Sequence, residues 1–91
     1  MLTTGKLYTT RTINDEMATD IQFSKEINKC LVRYKLKDWG DLSEEDKTMN
    51  DKAVNNGNDR ILASYKTSKG KVYIITEEDR TITTVLFADE Y

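Results

Sequence analysis

The sequence predicts an α+β fold: two or three N-terminal helices packed on a C-terminal three-stranded antiparallel meander, with an N-terminal segment able to add an edge strand. Three observations predict it. Apolar residues at helical spacing, preceded by helix-start residues, occupy the chain up to about residue 56. Three stretches rich in β-branched and aromatic residues occupy the remainder. The joins between those stretches, TSKG and EEDR, are short and polar, and short joins favour antiparallel neighbours.

The elements follow in chain order. Lys6–Arg11 (KLYTTR) is short and β-prone, suited to an edge strand ending at Thr12. Thr12 with Asp15 three residues on resembles a capping box, predicting a brief helix through about Thr19. Ser24 offers a second start. From there Ile27, Cys30, Leu31 and Tyr34 follow i, i+3, i+4, i+7, so residues from about 25 to 36 form an amphipathic helix with Val32, Arg33 and Lys35 away from the centre of the stripe. A stop is expected at Trp39-Gly40, because glycine accepts the left-handed conformation that ends helices. Ser43 with Asp46 repeats the cap logic for a third helix, carrying Met49, Ala53 and Val54 inward and ending near Asn55-Asn56-Gly57. The strands are Ile61–Lys66, Lys71–Thr76 and Thr81–Phe87. In the last, Ile82, Thr84 and Leu86 face one way and Thr83, Val85 and Phe87 the other, so part of the sheet is left for something other than helices to cover.

Ninety-one residues allow a single domain, 1–91, with one modest core. No proline, repeat or low-complexity tract divides it. With neither an apolar run near about eighteen residues nor a basic-then-apolar start, no membrane span or secretory signal is expected, and the chain reads as cytoplasmic.

Composition narrows the chemistry. The chain has no histidine, so nucleophile–histidine pairs and histidine-containing zinc sites are excluded. Cys30 is the one cysteine; flanked at helical spacing by Ile27, Leu31 and Tyr34, it reads as a small buried hydrophobe rather than a reactive thiol. The four glycines, 5, 40, 57 and 70, are too scattered to cradle phosphates. No cofactor is expected. A formal net charge of −2 is far from the basic balance of a general nucleic-acid binder.

Charge is nevertheless uneven. Residues 1–37 carry seven basic and four acidic groups, 38–51 one and six, and 52–91 six of each. The acidic middle contains the densest stretch of the chain, Lys37–Asp46 (KDWGDLSEED), with the only tryptophan. Some of those carboxylates suit a helix start, where they meet the positive end of the helix dipole. A divalent cation would need oxygen ligands grouped about one point, and the stretch lacks the alternating acids, glycine and terminal glutamate of a calcium loop, so no metal site is expected. Trp39 either closes the small core or, exposed beside Asp38 and Asp41, anchors an interface. The candidate partner-binding residues are therefore Asp38, Trp39, Asp41, Glu44 and Glu45. Arg60 is positioned to pair with an acid of this segment, and Glu77–Arg80 reads as turn chemistry. A second, basic strip of Lys25, Lys29, Arg33 and Lys35, with Tyr65 and Tyr73 from the sheet, is the alternative: a nucleic-acid-binding surface.

The pattern DWGD at 38–41, ED at 45–46, Asn50, Gly57, Arg60, SY at 64–65, IITE at 74–77, DR at 79–80, TT at 83–84 and EY at 90–91 resembles a family of small proteins encoded on bacterial plasmids, integrative elements and phages. The likeness covers roughly residues 30–91. Where members often carry a histidine before the DWGD-like segment and a tryptophan before IITE, this chain has Tyr34 or a neighbour of it, and Tyr73. The resemblance implies a mobile-element setting and no catalytic assignment. In that setting a local acidic surface implies a non-enzymatic interaction protein: an inhibitor of a host defence nuclease, of the anti-CRISPR or anti-restriction kind, its partner a host protein. The rival expectation is a small nucleic-acid-binding accessory factor.

Overall fold

The structure, a computed structural model, describes residues 2–91. The elements run β1 (Lys6–Thr9), α1 (Arg11–Thr19), α2 (Ile21–Lys35), α3 (Glu44–Asn56), β2 (Ile61–Thr67), β3 (Gly70–Thr76) and β4 (Ile82–Phe87), followed by a 3-10 turn at Ala88–Glu90. The class is α+β, as expected, but the sheet differs from the expected meander. β2, β3 and β4 pair antiparallel in sequence order, and β1 adds parallel to β4, giving a four-stranded mixed sheet of order β1-β4-β3-β2. A parallel pair needs a long crossover, and here everything between β1 and β4 serves as one.

The first two helices start earlier than expected. Thr10, not Thr12, caps α1, its Oγ1 accepting from the Ile13 N–H at 3.3 Å. Asp20, not Ser24, caps α2. Its carboxylate accepts from the Phe23 N–H at 3.1 Å while its own N–H closes α1 on Glu16 O, so one residue ends one helix and begins the next. The earlier start adds a turn to the buried stripe of α2, which runs Phe23, Ile27, Cys30, Tyr34, with Leu31 partly buried. α2 also ends before Trp39-Gly40. Lys37, at φ 65°, takes the left-handed position; the Lys37 N–H bonds Tyr34 O and the Asp38 N–H bonds Arg33 O, the paired bonds of a Schellman stop.

For α3 the sequence signals hold at both ends: the Asp46 N–H donates to Ser43 Oγ at 3.1 Å, and Gly57 ends the helix at φ 67°. Its inward face is partly different. Ala53 is buried, but Met49 points outward, 57% exposed, and Asn50 takes the inward position instead.

α1 and α2 cover one face of the sheet. Ile61, Ala63 and Tyr65 of β2, Val72 and Ile74 of β3 and Val85 of β4 meet Ile13, Phe23, Ile27 and Tyr34, and Phe23 stacks on Phe87 with ring centroids 5.7 Å apart. The opposite face carries Leu62, Tyr73, Ile75 and Leu86, of which Ile75 and Leu86 are buried; Tyr91, after the 3-10 turn, packs edge-on against Tyr73 at 5.8 Å. Among the described residues no helix is long and apolar enough to cross a membrane.

Candidate functional site

β2 is the last strand of its sheet, and an exposed strand edge leaves backbone groups without partners. Here two of its outward positions, Leu62 and Ser64, are paired. The Asn50 side chain donates from Nδ2 to Leu62 O at 2.8 Å and accepts from the Leu62 N–H at 3.4 Å. Ser64, the next outward-facing position, donates its N–H to Trp39 O at 3.3 Å and accepts at its carbonyl from the Asp41 N–H at 2.6 Å. The DWGD tetrapeptide is thus a one-residue parallel bridge laid along β2, with Gly40 opposite Ser64.

The side chains of the tetrapeptide hold that bridge. Gly40 sits at φ 73°, and a Cβ there would collide with the Ser64 carbonyl oxygen and lie 2.6 Å from the Tyr65 ring. Only glycine satisfies both the backbone angle and the approach. Asp38 accepts from Arg33 Nε at 2.8 Å and from the Gly40 N–H at 3.1 Å; the arginine bond, foremost, holds its carboxyl below the ordinary aspartate range. Arg33 in turn lies over the Tyr65 ring, 5.0 Å from its centroid, and the Tyr65 hydroxyl donates to Asp38 O at 2.7 Å. Burial pushes the Tyr65 phenol well above its usual value, so it acts as a neutral donor.

These contacts correct two expectations. Trp39 is interior, 3% exposed, its indole N–H donating to Asp51 Oδ1 at 2.9 Å and its ring edge-on to Tyr34 at 5.5 Å, so it cannot anchor a partner from the surface. Its surroundings satisfy both the apolar rings and the one polar atom. Asp38 is committed to Arg33 and Gly40. The basic strip fares similarly: Tyr65 is 1% exposed and unable to stack on a base, and Arg33 is held by Asp38 and Tyr65. Lys25 and Lys29 are exposed on α2 and Lys35 lies half-buried at its end, but Tyr73 points to the opposite face of the sheet. Sheet geometry separates what sequence proximity of character suggested, and the six residues form no single nucleic-acid surface.

What remains outward is the far end of the acidic stretch. Asp41 lies 3.9 Å from both Lys66 and Lys71, and Glu44 lies 3.6 Å from Lys47. Glu45 and Asp46, beside them in the first turn of α3, have no ion-pair partner among the described residues. Asp46 borders an open groove of about 310 Å³, lined by Leu42, Met49 and Leu62 on its apolar part and by Asn50, Asp59 and Arg60. Arg60 does not pair with the acidic segment. It lies over the Tyr91 ring, 5.3 Å from the centroid, and hydrogen-bonds the Tyr91 hydroxyl. Among the described residues no group of three or more His, Cys, Asp or Glu side chains is arranged to hold a metal ion.

Three contributors escaped the sequence reading. Asn50 and Asp51 look like ordinary polar residues of an exposed helix, yet one closes β2 and the other receives the Trp39 indole. Arg80, read as turn chemistry, donates from Nη1 to Asp59 O at 2.7 Å and from Nη2 to Ala53 O at 2.9 Å, fastening the β3–β4 turn to the end of α3. No local signal marks such roles, because the partners lie 12 residues away for Asn50 and Asp51 and 21 and 27 for Arg80. The chain matches no protein-family model, no curated protein and no solved structure.

Proposed function

We propose that this chain is a non-enzymatic interaction module of a mobile genetic element, acting in the cytoplasm to inhibit a host defence nuclease of the anti-CRISPR or anti-restriction target class. The observation that carries the reading is the groove at the start of α3, where Asp46 and Asp59, without ion-pair partners among the described residues, stand with Arg60 beside the apolar floor of Leu42, Met49 and Leu62, and Glu45 lies next to Asp46 in the first turn. Unpaired carboxylates steer a cationic surface, and an apolar floor gives such an encounter something to bury. A nuclease presents such a surface where it holds phosphates. A partner arginine or lysine would lay its stem on Met49 and bring its charged head to Asp46 and Asp59. The mobile-element setting is supported by the resemblance over residues 30–91.

Phage plating on cells that carry a restriction or CRISPR nuclease tests the reading directly. Expression of the chain should raise plating efficiency, and both Glu45→Lys/Asp46→Lys and Met49→Glu should abolish the gain while leaving the circular dichroism spectrum native. No gain with the wild-type chain across such hosts, or equal gain with the variants, sinks it.

A further inference from the structure

The two edges of the sheet are treated differently. β2 is closed by Asn50 and the Trp39–Asp41 bridge, whereas β1 ends the sheet on the other side with nothing paired to it among the described residues. Which of its backbone groups are free follows from the ladder. The Lys6 N–H bonds Thr81 O at 2.9 Å and the Thr10 N–H bonds Val85 O at 3.0 Å, so Lys6, Tyr8 and Thr10 face β4 with their backbone groups. Leu7 and Thr9, the alternate positions, direct their N–H and C=O groups outward. The side chains on this edge are apolar and uncovered as well, Leu7 being 44% and Tyr8 49% exposed.

We infer that β1 is a self-association edge that pairs antiparallel with β1 of a second copy, about a two-fold axis at Tyr8. In that register Leu7 of one copy and Thr9 of the other form hydrogen-bonded pairs, each exchanging both N–H···O bonds, and Tyr8 faces its symmetry mate across the closely spaced, non-hydrogen-bonded position. The two-fold makes the patch self-complementary, as closed dimers require.

Charge complementarity selects this occupant. The same register sets Lys6 of one copy opposite Thr10 of the other, on the same sheet face. Thr10 Oγ1 donates to Glu90 Oε1 at 2.9 Å, and that carboxylate also accepts from the Phe87 N–H at 2.8 Å. Glu90 is thereby held at the position an incoming Lys6 ammonium would reach, and neither Lys6 nor Glu90 has an ion-pair partner within the described chain. The two-fold makes this contact twice.

Sedimentation equilibrium over micromolar to millimolar concentration tests the inference. The wild-type chain should reach dimer mass. Thr9→Pro removes one outward N–H and none of the bonds to β4, since proline is tolerated where an edge N–H faces solvent, and should raise the dimer dissociation constant at least about tenfold. Lys6→Glu should weaken the dimer by a similar factor, and Lys6→Glu/Glu90→Lys should recover most of it, a recovery that general unfolding could not produce. A chain that stays monomeric to millimolar concentration overturns the inference and leaves the edge to a strand of another protein. A dimer indifferent to Thr9→Pro and to Lys6→Glu overturns it equally.

Discussion

The Tyr34 hydroxyl and Thr76 Oγ1 lie 2.6 Å apart inside the core, and the direction of that bond is decided two residues away. Thr83 Oγ1 is 2.6 Å from Thr4 O, a carbonyl that can only accept, so the Thr83 proton points there. Thr76 must then donate to Thr83 Oγ1, at 2.7 Å, and Tyr34 must donate to Thr76. One directed relay of buried hydroxyls ties α2 to β3, β4 and the segment before β1. Its members are unequal. Tyr34→Phe removes a donor and leaves every remaining proton placed, and should lower unfolding free energy by about 1 kcal/mol. Thr83→Val orphans the Thr76 proton and the Thr4 carbonyl together and should lower it by about 2–3 kcal/mol. Urea titration of both variants reads the ranking; Tyr34→Phe as the costlier change would reverse the direction of the relay.

Two glycines of similar φ should respond very differently to alanine. At Gly57 nothing lies within 4 Å of an added Cβ, so Gly57→Ala carries only the left-handed backbone penalty, about 1 kcal/mol. At Gly40 the added Cβ meets the Ser64 carbonyl and the Tyr65 ring besides, so Gly40→Ala should exceed that by about 2 kcal/mol or more and release the bridge along β2. Hydrogen exchange at the Ser64 and Asp41 amides should rise in Gly40→Ala and stay protected in Gly57→Ala.

Arg80 acts through a planar fork that reaches carbonyls of the β3–β4 turn, the end of α3 and the loop before β2. Arg80→Ala should lower stability by about 1.5–3 kcal/mol, the range for hydrogen bonds to a charged group. Arg80→Lys should recover less than half of that, because an ammonium cannot span both sets of acceptors. Full rescue by lysine in thermal denaturation would show that charge alone is needed there.

Stability should fall at both pH extremes, for opposite reasons. The folded-state pKa of Asp38 is lowered, chiefly by the Arg33 bond, so its contribution is present above the ordinary aspartate value of about 3.9 and disappears as pH drops through the lower folded value. Tyr34 is pushed up by burial to about 12, so the stability tied to its neutral form is intact below about 10 and is lost as pH rises through about 12. Asp38→Asn should make the acid limb of the stability profile shallower, with Asp20, Glu26 and Asp79 supplying the rest, and Tyr34→Phe the alkaline limb, with Tyr65 supplying the rest, each leaving the other limb unchanged.

Ser64 offers a change in the other direction. Its Oγ is buried with no hydrogen-bond partner among the described residues, although its backbone closes the bridge to Trp39 and Asp41. Ser64→Ala keeps those backbone bonds and removes an unsatisfied hydroxyl, so stability should stay level or rise by up to about 1 kcal/mol. A clear loss would mean that the hydroxyl has a partner.

Where the sequence was informative, the information was local. Ser43 and Gly57 bracket α3 because a cap bond spans three residues and a left-handed stop needs one glycine. The stripe Ile27, Cys30, Tyr34 and the antiparallel β2–β3–β4 order follow from spacing and from short joins. The sequence by itself therefore determined the class, the three helices and the three C-terminal strands, and it excluded histidine chemistry outright. Only the tertiary structure decided that β1 joins β4 in parallel, that Asn50 and not Met49 faces inward, and that the DWGD segment lies against β2 with Trp39 inside. Each of those depends on partners far away in sequence, a strand edge left unpaired by the sheet order or a carbonyl exposed by a distant turn. Local pattern carries no trace of them, because the free energy that selects them arises only when the distant groups meet.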